Sequence, residues 1–246
     1  MSDILVQATR LSKTFTLHLQ AGTQLDVLRD TSLTVRAGSC VALAGPSGTG
    51  KSTLLRSLYG NYLVDEGEIL IRHNGRMIDL TTAAPAEIIE IRRATLGYVS
   101  QFLRAIPRVT ALDVVATALT DRGADLAAAR KTAAAMLERL GIGPSLHGLP
   151  PATFSGGEQQ RVNLARAFVC DWPIMLVDEP TASLDNANRD IVIELMREAK
   201  ARGSALIGIF HDVFVREAIA DEVLALVPVS NTRAAGDATR KTEELA

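Results

Sequence analysis

Only two cysteines, Cys40 and Cys170, occur among 246 residues. They are far apart and lack C-x-x-C spacing, which disfavours a disulfide framework or a thiolate metal site and points to buried, reduced thiols. Charge of one sign is also missing: 26 basic residues stand against 28 acidic ones, for a net charge of −2. That balance leaves no electrostatic footprint for nucleic acid. Although 47% of the residues are hydrophobic, no apolar run approaches the roughly 18 residues of a membrane span. The opening MSDILVQATRLSK lacks the basic segment followed by an apolar one that marks a secretory signal. The chain reads as soluble and cytoplasmic, long enough to bury a sizeable core, with any membrane role left to a partner.

What is present is a phosphate loop. After the apolar run CVALA at 40–44 comes Gly45-Pro46-Ser47-Gly48-Thr49-Gly50-Lys51-Ser52, which fits G-x-x-x-x-G-K-[ST] between a strand and a helix, with Thr53 next in the helix. The glycines let backbone N–H groups turn inward around phosphate oxygens, and the helix opening at Lys51 aims its positive end at them. Lys51 is expected to reach the β and γ phosphates of ATP, and the Ser52 hydroxyl to ligate Mg²⁺.

Strand-like runs at 41–44, 69–72, 97–100, 174–178, 205–210 and 222–227 are separated by helical segments, the arrangement of a parallel α/β core. Asn74-Gly75 predicts a hairpin, so an antiparallel β portion joins this core near the N-terminus. From about 102 to 168 the pattern is helical, as in ALDVVATAL and LAAARKTAAAMLERLG, and predicts an α-helical subdomain inserted in the core. One domain over 1–228 is expected, followed by a polar, small-residue tail at 229–246 expected to be flexible.

The run at 174–178 delivers Asp178 and Glu179 to a strand's C-terminal end, where ligands of open α/β sheets bind. Asp178 fits the Mg²⁺-associated acid of a P-loop NTPase, and Glu179 is placed to orient or deprotonate an attacking water. Ser155, Gly156, Gly157, Glu158 and Gln159 open a helix upstream, and Ser183, Leu184 and Asp185 follow downstream. This order resembles the signature, Walker B and D-loop of the ATP-binding-cassette (ABC) ATPases, and the resemblance covers about residues 4–228. It implies a P-loop NTPase fold of ABC type. It implies that Gln101, after YVS, is the Q-loop residue and a Mg²⁺ ligand beside Ser52 and Asp178. It further implies that His211 in IFHD is the switch histidine and that Phe15 in LSKTF stacks on adenine.

In such ATPases the signature contacts the γ-phosphate held by the opposite protomer. One phosphate loop and one signature per chain therefore imply a second cassette, either a copy of this chain or a related one. The signature reads FSGGE where the family usually begins with Leu and ends in Gln, and Phe210 precedes the histidine where Thr is common. Both departures keep the Ser-Gly-Gly and His positions, so hydrolysis is expected to survive.

Within the family, the N-terminal stretch TFTLHLQAGTQLDVL resembles cassettes serving lipoprotein release and macrolide export. QFLRAIPRVTALDVVA and ATFSGGEQQRVNLARAF are more similar to the ATP-binding subunit of the carbon–phosphorus lyase system. The leading expectation is thus an ATPase serving phosphonate metabolism, in formation of a ribose 1-phosphonate triphosphate, with soluble lyase subunits as partners. The alternative is the energy-coupling ATPase of a membrane exporter or lipoprotein-release system, and a third reading is a non-hydrolysing ATP-gated clamp. In transporters of this family the surface beside the Q-loop receives a helix of the membrane subunit. Here Phe102, Leu103, Ile106 and Val109, with Arg104 and Arg108 among them, offer a mixed surface for docking a protein.

Overall fold

A computed structural model describes residues 3–17, 22–101, 103 and 107–229. Two strands of 14 residues each, β1 (Ile4–Leu17) and β2 (Thr23–Arg36), form a long antiparallel hairpin. β1 also pairs with β4 (Glu66–His73), which turns back into β5 (Arg76–Asp79), giving a four-stranded sheet in the order β2-β1-β4-β5. The turn is the two-residue Asn74-Gly75 link predicted from sequence. Its φ angles of 49° and 79° suit the right-handed twist of the flanking strands.

A five-stranded parallel sheet carries β6 (Leu96–Val99), β7 (Ile174–Asp178), β8 (Ala205–Ile209), β3 (Cys40–Ala44) and β9 (Glu222–Ala225), in that spatial order. β3, β7 and β8 are buried nearly throughout and apolar on both faces because both are covered, whereas β9 is a largely exposed edge. Along β7, Ile174 and Leu176 face one core with the antiparallel sheet, α1 (Lys51–Leu58) and α2 (Pro85–Ala94). Met175 and Val177 face the second core, built by α3 (Ala111–Thr120), α4 (Leu126–Arg139), α6 (Gly156–Phe168) and α7 (Asn186–Ala201). A short α5 (Pro144–His147), a 3-10 turn (Pro151–Thr153) and α8 (Val213–Ile219) complete the helices of the described residues.

The run at 69–72 does not belong to the parallel core, as its spacing suggested. It lies in β4, paired antiparallel to β1. The Asn74-Gly75 hairpin also ties it antiparallel to β5, so both of its neighbours, β1 and β5, run antiparallel to it. Both cysteines are buried and free. Burial pushes the Cys40 thiol up to about 12 and the Cys170 thiol to about 11, so neither is a poised nucleophile. The expected flexible tail lies, from residue 230 on, outside the described residues.

Candidate functional site

β3 runs into the phosphate loop, and the loop ends on the first residue of α1. Three glycines there have positive φ: Gly45 at 138°, Gly48 at 83° and Gly50 at 88°. At Gly45 a Cβ would sit 2.4 Å from the Leu226 carbonyl oxygen, and at Gly50 it would sit 2.5 Å from that of Val27. Glycine is thus required twice over, by backbone angle and by space. Gly50 caps α1 without a side-chain hydrogen bond, and no acid occupies the first turn. The free N–H groups and the positive helix end are left for an anion. Lys51 folds back over the loop, its Nζ donating to the carbonyl oxygens of Gly45 and Pro46 at 2.7 Å each. Buried Thr49 closes the loop from inside through its hydroxyl, 2.9 Å from the Pro46 oxygen.

Across from this loop, sheet order does what sequence spacing does not show. β6, β7 and β8 are neighbours, so the residues leaving their C-terminal ends meet. Gln101 Nε2 donates to Glu179 Oε2 at 3.2 Å, and His211 Nε2 lies 2.8 Å from Glu179 Oε1. Glu179 itself has φ 49°, a left-handed conformation that costs a non-glycine residue about 1–2 kcal/mol. Its backbone N–H is held by the Ile209 carbonyl at 3.1 Å. Such backbone strain clusters at working sites.

Asp178, only 5% exposed, has its carboxyl raised from the usual range by burial first and by the Glu179 charge second. Tyr98, not foreseen from sequence, donates its hydroxyl to Asp178 Oδ2 at 3.3 Å. Burial and the Asp178 charge push that phenol to about 12, so it stays a donor. The only sequence signal for it is that Tyr98 pairs with Leu176, two residues before Asp178 on the adjacent strand. A buried carboxylate with raised pKa, beside a second one, is a setting that a divalent cation suits. The Ser52 hydroxyl, the Asp178 carboxylate and the Gln101 amide oxygen are hard donors that fit Mg²⁺. Among the described residues no group of three or more His, Cys, Asp or Glu could hold a metal. The fit is therefore to a Mg²⁺ that takes most of its oxygens from a phosphate chain.

Ser155 caps α6 in a capping box: its hydroxyl and backbone N–H both donate to Glu158 Oε2, at 2.7 and 2.9 Å. Gln159 Nε2 donates to the Phe154 carbonyl oxygen. Ser155 and Gly156 are exposed, and among the described residues no hydrogen bond joins 155–159 to the phosphate loop. The structure therefore does not bring the signature to its own chain's phosphate loop. Two further residues beyond the predicted set wire α6 to the site: Gln160 Nε2 donates to the Pro180 oxygen at 3.2 Å and Asn163 Nδ2 to the Ser100 oxygen at 2.6 Å. Nothing in residue type alone marks them. Ser183 lies against the signature, its oxygen 3.2 Å from where a Gly157 Cβ would stand. Leu184 packs on the core, and Asp185 caps α7 by accepting from Asn188 N at 2.8 Å. Half-buried Phe15 pairs with Leu25 on β2, close in sequence to the Val27 that abuts Gly50, and meets Tyr62 edge-on at 5.4 Å.

A second cavity of about 750 Å³, which shares Tyr98 with this site, opens where α2 and β6 meet α3 and α6, lined by Tyr59, Arg92, Val114, Arg122, Arg166 and Trp172 among others. Val109, of the expected docking surface, lines it too. Leu103 is buried, Arg108 has φ 65°, and Phe102, Arg104 and Ile106 lie outside the described residues.

Residues 28–182 match the family model for ABC transporters. A lipoprotein-releasing system ATP-binding protein, LolD, of Shewanella oneidensis is 37% identical over 213 residues, 86% of this chain and 89% of that protein. LolD of Legionella pneumophila (strain Paris) is 37% identical over 227 residues, 92% of this chain and 96% of its own length. The macrolide export ATP-binding/permease protein MacB of Brucella melitensis is 36% identical over 224 residues, 88% of this chain but 32% of that protein. Among solved structures, a dimer of the bacterial ABC transporter cassette MJ0796 superposes with a TM-score of 0.82 at 28% identity, covering 90% of this chain and 94% of that one. A post-hydrolysis dimer of the same cassette bound to ADP and Pi gives a TM-score of 0.81 at 30% identity, again over 90% and 94%.

These relatives overturn the expectation of a carbon–phosphorus lyase subunit with soluble lyase partners. The two segments that suggested it hold buried Ala111, Val115, Val162, Leu164 and Ala165. Much of their sequence is dictated by core packing, which carries no information about the partner.

Proposed function

The chain belongs to the ABC transporter family, and on that premise we propose that it is the ATP-hydrolysing subunit that drives a membrane partner of the lipoprotein-release or macrolide-export kind. The meeting of Gln101 and His211 on the strained Glu179, opposite a phosphate loop, carries the ATPase reading. Relatives named for lipoprotein release, matched over 86–92% of the chain, support the choice of partner. Among the described residues no helix is long and apolar enough to cross a membrane, so this chain would work from the membrane surface. Residues 1–228 would act as one ATPase domain, with the helical part at about 102–168 as its coupling element.

Phosphoryl transfer leaves a protein little covalent work, so positioning and charge supply the rate. Backbone N–H groups of Gly45, Ser47, Gly48 and Gly50, with Pro46 and Thr49 shaping the loop, would cradle the phosphates of ATP. Thr53 would extend that cradle into α1, and Phe15 would face the adenine. Lys51 would exchange its two carbonyl partners for phosphate oxygens. Ser52, Asp178 and Gln101 would hold Mg²⁺, which when bound neutralises phosphate charge. Tyr98 would orient Asp178. Glu179 would take the proton of the attacking water, with His211 holding the carboxylate and its neighbour in place.

The exposed Ser155 and Gly156, with half-buried Gly157 behind them, would complete the site of a second cassette, and Ser183–Asp185 would line that contact. The contacts of Gln160 and Asn163 would pass the state of the site to α6. Affinity capture of the tagged chain from detergent-solubilised membranes of its own host should bring down a multi-spanning membrane protein. Capture of soluble proteins alone would overturn the choice of partner.

A further inference from the structure

His211 reaches Glu179 from the short link 210–212 between β8 and α8. Its side chain is mostly exposed, and among the described residues Glu179 is its only polar partner. The imidazole is therefore placed by the backbone that carries it, and that backbone is pinned on both sides. Before it, Phe210 is buried and packs over Gly208, where a side chain would collide with its ring. After it, Asp212 uses both carboxylate oxygens. Oδ1 accepts from the Phe214 N–H at 2.8 Å and so caps α8, and Oδ2 accepts from Arg189 Nη1 at 3.3 Å.

Arg189 comes from the first turn of α7, the helix capped by Asp185. Its guanidinium carbon lies 4.7 Å from the ring centroid of exposed Phe214, so one side chain meets both the cap and the first turn of α8. Core contacts hold the other face of α8, through Val215 and Ile219. Arg189 is not an ordinary surface partner. Its side chain is 23% exposed, its Nε is buried, and among the described residues that Nε has no hydrogen-bond acceptor. Asp190 Oδ1 stands 3.7 Å from it, beyond hydrogen-bond range. Burying an unmet donor costs stability, while an ion pair at this exposure returns little. A clamp needed for stability alone is better made from apolar contacts.

We infer that Arg189 is a positioning residue for hydrolysis: through Asp212 it holds the 210–212 link where the His211 imidazole meets Glu179. The inference rests on the roles proposed for Glu179 and His211 and adds to them a side chain from a different helix. Among the described residues Arg189 makes no hydrogen bond or ion pair with Glu179 or the phosphate loop. Removing it should therefore leave nucleotide binding as it is and loosen the group that aligns the carboxylate.

Steady-state phosphate release by the purified full chain reads the effect, with ATP varied at saturating Mg²⁺. Arg189→Gln should lower kcat by about 10- to 100-fold, up to the loss that follows a misplacement of about 1 Å, while KM for ATP stays within about twofold. Arg189→Lys, which still places a cation on Asp212, should recover part of kcat. Asp212→Asn keeps the α8 cap, since Asn caps as well as Asp, but loses the charge that Arg189 meets. It should reproduce the kcat loss from the other side of the pair, without altering α7. In a His211→Ala background, Arg189→Gln should lower the residual turnover no further, because the group it positions is gone. The variants should melt within about 4 °C of wild type.

Full kcat in Arg189→Gln or in Asp212→Asn, or a loss carried by KM rather than kcat, would overturn the inference. So would losses that multiply in the Arg189→Gln, His211→Ala double variant, which would mark a general effect on the fold. Wild-type turnover in His211→Ala alone is a different failure: it would overturn the role given to His211 itself, and with it the positioning argued from that role.

Discussion

Replacing Glu179 by Gln tests the chemistry assigned to the site most cleanly, because the structure separates the fold role of this residue from its charge. Gln is isosteric, keeps an oxygen toward His211 Nε2, now 2.8 Å away, and inherits the same backbone at φ 49°. His211 is 65% exposed, so changing this contact costs stability little, about 0.5 kcal/mol or less. The Glu179 charge raises the Asp178 carboxyl, and its removal relieves that neighbour, offsetting part of the loss. Thermal melting should therefore barely move. Catalysis should not survive so well, because a positioned general base is worth about 10²–10⁴ in rate, or about 3–5 kcal/mol of barrier. The assay is phosphate release from purified protein under saturating Mg-ATP, with size-exclusion chromatography of the same samples. Turnover should fall by at least about a hundredfold while an ATP-dependent dimer accumulates. Turnover within about threefold of wild type would refute the role of Glu179, and a variant that stays monomeric with ATP would refute the paired-cassette reading.

Asp178→Asn is expected to abolish Mg-dependent turnover yet stabilise the nucleotide-free protein. The wild-type carboxyl titrates above its ordinary value when folded, so its ionised form weighs against the fold at neutral pH. The gain in Tm should grow as pH rises above roughly 4 and vanish in acid, and melting curves at several pH values without nucleotide check it. Gly50→Ala should cost at least about 2 kcal/mol, since φ 88° is compounded by a Cβ 2.5 Å from the Val27 oxygen. Gly48→Ala, at φ 83° with nothing within 4 Å of its Cβ, should cost only about 1 kcal/mol, and chemical denaturation separates the two.

The phosphate loop, the Asn74-Gly75 turn and the acidic strand end at 174–179 were legible in the sequence because each is written in consecutive residues whose backbone demands are local. The sheet to which 69–72 belongs was not, since an apolar run looks alike in a parallel core and in an antiparallel flank. Nor was the meeting of Gln101, Glu179 and His211 as a contact: residue order gives three strand ends, but only the spatial order β6-β7-β8 makes them neighbours. Tyr98, Gln160 and Asn163 were missed for the same reason, their partners lying 80, 20 and 63 residues away in sequence. The partner is not legible in 101–116 and 152–168, because those segments largely encode helix packing.

Complementation between two dead chains tests the composite site directly. Lys51→Ala removes the loop cation. Gly156→Asp places a negative charge at the exposed start of α6, where a Cβ meets nothing within 4 Å in its own chain, so its harm falls on a partner's phosphate. Each variant alone should be inactive. Mixed in equal amounts with Mg-ATP, half of the dimers pair the two variants and carry one intact site of two, so phosphate release should return to about a quarter of wild type. Gly156→Asp retaining wild-type turnover by itself, or a mixture that stays inactive although the dimers form, would contradict a site shared between two chains.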